Sequence, residues 1–165
     1  MATALPRFVL LYAAMYAAYG VASPFIPAFV NSRGIAPEEL GLVLGTGTAV
    51  RLFSAPLAGR VADLLEALRM VLVTCIALAA FITLGYLPAQ GFWMFLGVAM
   101  LQAAALAPMS VLADALSLGA AKRHGFEYGW VRGTGSAAFI AGTLASGQLV
   151  GAFGLGVIVW LQASL

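Results

Sequence analysis

Charge is what this sequence has least of. Of its 165 residues, 8% are Asp, Glu, Lys or Arg and 63% are hydrophobic, whereas a soluble domain carries about 25% charged residues. No soluble fold of this size can hide that much apolar surface from water. A soluble fold is therefore excluded, and the lipid bilayer is the solvent that suits the chain.

Cysteine and histidine are nearly missing. Cys75 is the only cysteine and lies inside an apolar run. That excludes an internal disulfide and a redox pair, and leaves a small packing residue. His124 is the only histidine and stands beside Lys122 and Arg123 in a charged stretch. The sequence also lacks a metal-ligand cluster, a nucleophile elbow and a phosphate loop. No catalytic constellation remains, so the chain is not expected to be an enzyme or to hold a cofactor. The few basic residues are scattered singly between apolar runs, which excludes a nucleic-acid footprint.

Long uncharged runs fill the rest. A helix rises about 1.5 Å per residue and the hydrocarbon core is about 30 Å thick, so a span needs about 20 apolar residues. Five stretches qualify: 8–30, 40–58 (interrupted by Arg51), 70–87, 92–118 and 134–153. The uncharged stretch 133–165 is about 50 Å long as one helix, too much for one crossing. Gly151, Gly154 and Gly156 mark a break, after which 155–165 begins a sixth span. The expected fold class is all-α: a polytopic transmembrane helix bundle of five spans plus an incomplete sixth. The first run imitates a signal peptide, with Arg7 ahead of it, but it is long enough to span and carries Tyr12, Tyr16 and Tyr19. It reads as a retained helix.

Short connections force neighbouring spans to alternate direction. With the N-terminus in the cytoplasm, Arg7, Arg60, Arg69, Lys122, Arg123 and Arg132 all fall inside and only Arg33 outside, as the positive-inside rule requires. Segments 59–69 and 119–132 are the expected cytoplasmic loops. Small residues at Gly41 and Gly45, at Gly147 and Gly151, and at Ala138, Gly142 and Ser146 form ridges suited to close helix packing.

Ionisable groups within a span are costly and therefore informative. Arg51 is an anion-binding or gating residue, or one half of a structural pair. Asp114, near the end of the fourth span, is a proton carrier, a gating partner of an arginine or a snorkelling acid. Arg51, Arg60 and Arg69 are its candidate partners. Tyr12, Tyr16, Tyr19 and Ser23 fall at steps of four, three and four, on one helix face. That stripe of hydroxyls suits a polar or aromatic solute, and equally suits anchoring or packing. Pro24 and Pro27 are expected to bend the outer end of this helix. Gln102 is either cavity-lining or an interhelical hydrogen bonder.

Ala58-Gly59-Arg60-Val61-Ala62-Asp63, followed by Arg69, resembles the signature loop of the major facilitator superfamily between its second and third helices. The pattern departs after Asp63, where Leu64, Glu66, Ala67 and Leu68 replace Arg, Gly, Arg and Lys. The stretches 50–59, 112–118 and 128–136 resemble the phenylpropionate-permease and nucleoside–proton-symporter-like branch. The resemblance implies a twelve-helix transporter of two six-helix halves with rocker-like alternating access, proton-coupled uptake of a small organic solute, and a plasma-membrane location, the inner membrane in a bacterium. It implies that Gly59, Arg60, Asp63 and Arg69 form a cytoplasmic latch with Asp114 nearby. It also implies that Tyr128, Gly129 and Arg132 belong to the cytoplasmic loop between the fourth and fifth helices. On this reading the chain is a truncated N-terminal half that works with a C-terminal half or a second chain. A homo-oligomeric carrier and a non-transporting membrane scaffold or partner subunit are the alternatives.

Overall fold

The computed structural model describes residues 4–165, and every element among them is helical. They are α1 (Ala4–Ala22), α2 (Ile26–Ser32), α3 (Pro37–Leu64), α4 (Leu68–Leu84), α5 (Gly91–His124), α6 (Tyr128–Phe153) and α7 (Val157–Ser164). Four stretches are long and apolar enough to cross a membrane: α1 with α2, α3, α5 and α6. At 17 residues, α4 is a shorter apolar helix. Large apolar side chains face outward, with Phe53 76% and Trp93 79% exposed. Water would penalise such a surface, whereas lipid accepts it. The chain is an all-α integral membrane protein.

The bend expected in the first run falls at Ser23–Phe25, between α1 and α2. Pro24 cannot donate a backbone N–H, and Pro27 sits in the first turn of α2, where a missing N–H costs nothing. The break in the last run is also where glycine signalled it. α6 ends at Phe153, and Gly154 turns the chain with φ +79° before α7 begins.

Two expected loops are mostly helix. α3 runs on through Gly59, Arg60 and Asp63 to Leu64, and Arg69 is already in α4, leaving a turn of 65–67. α5 runs on to His124, and α6 already contains Tyr128, Gly129 and Arg132, leaving a turn of 125–127. Charge marks where lipid ends, not where a helix ends. Arg60, Lys122 and Arg123 can sit in water while the backbone stays helical, and cations in the last turn of α5 suit its dipole. Arg51 is consequently about 20 Å, and Asp114 about 15 Å, from the end of its helix. The turn after α3 closes with Glu66 at φ +49°, the position where the superfamily pattern has glycine, the residue that takes this conformation without strain.

The chain folds as two compact units: residues 1–26 with 113–165, and residues 27–112. In the first, α1 packs chiefly on α6. A Cβ on Gly142 would lie 2.6 Å from the Ala17 carbonyl oxygen, and one on Gly20 would collide with the Phe139 carbonyl. The Thr143 hydroxyl lies 3.0 Å from both the Gly20 and Phe139 carbonyl oxygens and can donate to either. Gly142 and Ser146 of the expected ridge are buried. Gly41 and Gly45 are exposed instead, with no side chain or neighbouring helix within 4 Å of their Cβ positions.

In the second unit Phe29, Tyr86 and Phe95 form an aromatic cluster with centroids 6.3–6.5 Å apart. The Arg33 guanidinium lies 5.0 Å from the Phe29 ring centre, and Arg33 donates to the Leu87 carbonyl at 3.3 Å. Cation–π contact and a carbonyl partner hold this exposed arginine in place.

Candidate functional site

The polar groups of the first unit converge at the end where α1 starts, α5 finishes and α6 starts. Helical spacing explains the convergence. Tyr12 and Tyr16 are four apart on α1, Asp114 and Ser117 three apart on α5, and Tyr128 and Arg132 four apart on α6. Each pair shares one face of its helix. Counted along each helix, Tyr128 stands at the very start of α6 and the others lie about 6–18 Å from a helix end.

Asp114 is the hub. Its Oδ1 accepts hydrogen bonds from the Tyr12 hydroxyl, from the Tyr128 hydroxyl at 2.7 Å and from Arg132 Nη1 at 3.3 Å. Tyr12 also lies 3.0 Å from the Ser117 hydroxyl. Arg132 Nη1 donates to the Tyr16 hydroxyl as well, and its guanidinium carbon is 5.3 Å from the centre of the Tyr16 ring. Tyr12 and Tyr16 stack at 5.7 Å and 21°, and Tyr19 meets Tyr16 edge-on at 5.8 Å. Asp114–Arg132 is a half-open ion pair, with side chains 32% and 48% exposed. The remaining guanidinium nitrogens of Arg132 make no hydrogen bond among the described residues. The arrangement offers a fixed cation with donors to spare beside flat phenol rings. Such a site can take a carboxylate through paired N–H donors and an aromatic ring by stacking.

The other sequence candidates lie elsewhere. Gln102 is buried in the second unit, donating from Nε2 to the Thr83 hydroxyl on α4 at 2.7 Å, while Thr83 donates to the Ala79 carbonyl. This is the interhelical hydrogen bond that was the alternative to a pathway role. Arg51 is exposed on α3 and makes no ion pair among the described residues. Arg60, Asp63 and Arg69 are exposed beside the 65–67 turn of that unit. Ser23 is exposed in the turn after α1. Sequence reasoning overlooked Ser117 and took Arg132 for a loop cation. The four-residue step from Tyr128 to Arg132 was the available signal that both lie on one helical face.

The model of the MFS_1-like family matches residues 5–165, nearly the whole chain. The chain belongs to this transporter family. Within the major facilitator superfamily, it is 35% identical over 160 residues to a probable 3-phenylpropionic acid transporter of Escherichia coli (strain K12), covering 91% of this chain and 40% of that protein. It is 26% identical over 119 residues to an uncharacterized transporter, YwbF, of Bacillus subtilis (strain 168), covering 72% of this chain and 30% of that one. The chain thus spans less than half the length of these relatives. No solved structure matches it. Family membership makes this a transporter-family protein rather than an enzyme.

Proposed function

We propose that this chain forms part of the pathway of a transporter for a small organic solute, an aromatic carboxylic acid, moved together with protons. The observation that carries the reading is the cluster of Tyr12, Tyr16, Asp114, Tyr128 and Arg132 on apolar helices, with its half-exposed guanidinium beside stacked phenol rings. An intramembrane charge is retained only where it meets a counter-charge, water or a solute. The name of the Escherichia coli relative supports an aromatic acid as the solute. The N-terminus lies in the cytoplasm on this reading, as the basic residues favour. Gly59, Arg60, Asp63 and Arg69 act at the cytoplasmic latch. A pathway needs walls from a second helical half, supplied by the same polypeptide or by another chain.

Uptake tests the reading. Cells expressing the gene that encodes this chain are expected to accumulate labelled 3-phenylpropionate saturably above a vector control, and to show no such uptake of uridine or lactose. The reading fails if the protein reaches the membrane and the acid does not enter, or if only a neutral solute does.

A further inference from the structure

The ion pair at the hub is built to come apart. Opening a charge pair in a membrane is normally prohibitive, because each partner is left with an unsatisfied charge. Here each partner keeps another holder. If Arg132 swings away, Asp114 Oδ1 still accepts from Tyr12 and from Tyr128 at 2.7 Å. If Asp114 is lost to it, Arg132 still donates to the Tyr16 hydroxyl and lies against the Tyr16 ring. The link between them is also the longest of the three on Oδ1, at 3.3 Å. The tyrosines thus form two separate cradles, one for the acid and one for the base, with the ion pair bridging them.

From this geometry we infer that Asp114 is the site's own competitor for an anionic solute: it occupies Arg132 when the site is empty, and the solute's carboxylate takes its place. The inference rests on the proposed function and adds a specific role for the acid. Two carboxylates brought to one guanidinium repel each other, so the solute docks more favourably on Arg132 once Asp114 has given way. Its tyrosine cradle provides the place it occupies meanwhile. The competition lowers affinity for the acid, which suits a carrier that has to release what it binds.

The test is binding of labelled 3-phenylpropionate, and of its uncharged amide, to membranes from cells expressing the gene. Asp114→Asn keeps the shape and an acceptor oxygen for Tyr12 and Tyr128 but removes the competing charge. It is expected to tighten acid binding about tenfold and to leave amide binding as in the wild type. Tyr128→Phe removes one donor from the acid's cradle and makes Asp114 depend more on Arg132. It is expected to weaken acid binding a few-fold, again without affecting the amide. A merely structural Asp114 would shift both ligands alike. Acid binding by the wild type that Asp114→Asn leaves unchanged or weakens overturns this inference alone. If Asp114→Asn does not accumulate, unchanged acid binding in Tyr128→Phe overturns it equally. No acid binding by the wild type overturns the proposed function and this inference with it.

Discussion

Gly142→Val is expected to unseat α6 from α1 and to strip most of the folded protein from detergent extracts. The reason is local and steric. Even the first carbon of the new side chain would lie 2.6 Å from the Ala17 carbonyl oxygen, well inside ordinary contact, and the obstacle is backbone that cannot rotate aside. In lipid the helices are held by close packing rather than by hydrophobic exclusion, so forcing the backbones apart removes what holds them. Overpacking of this kind costs about 1–3 kcal/mol and at times more. The upper end applies because Gly20 and Thr143 make the same seam and would lose it together. The measurement is the monodisperse fraction and melting temperature of the solubilised protein. Gly151→Ala is the control: no side chain or neighbouring helix lies within 4 Å of its Cβ position, so it is expected to behave as the wild type. Equal behaviour of Gly142→Val and wild type would remove the α1–α6 seam from the account.

Arg132→Gln is expected to do the opposite, sparing the fold and abolishing function. Asp114 keeps both tyrosine donors without Arg132, so the helices are expected to stay packed when the guanidinium is removed. Solute binding is different. Removing the cation from a desolvated solute carboxylate costs about 2–5 kcal/mol, which is about 30-fold at the least. Uptake of 3-phenylpropionate, measured as kcat/KM at matched membrane abundance, is therefore expected to fall about 30-fold or more. Arg132→Lys keeps the charge but loses the paired N–H geometry and should lie between. A large loss of abundance with normal uptake per molecule would reassign Arg132 to the fold.

Much of the helical layout was legible because lipid imposes it. Length and hydropathy located the apolar helices, Pro24 and Pro27 located the kink, and Gly154 the last break. Helix ends were not legible from the same signal. Arg60 and Arg123 end the uncharged runs, while backbone hydrogen bonding carries the helices on to Leu64 and His124. That single confusion also hid the site's cation, because a residue assigned to a loop is not examined for the face it shares with its neighbours. The tyrosine spacing on α1 was visible, yet periodicity alone could not separate packing from solute contact. Nor could it report the carboxylate 102 residues away that Tyr12 meets, because no local pattern carries such a distance. Gln102 illustrates the converse: a polar residue in mid-span that the fold spends on holding two helices together.

The central claim is that solute sits against Arg132 on the face of α6 that also carries Tyr128 and, one turn further on, Ser136. Ser136 is exposed, which makes it the position from which to detect occupancy. With Cys75 replaced by serine, a cysteine at 136 should react with a membrane-permeant maleimide, and saturating 3-phenylpropionate should slow that reaction several-fold. An alkylation rate unchanged by the acid, in a variant that still takes the acid up, would contradict the account.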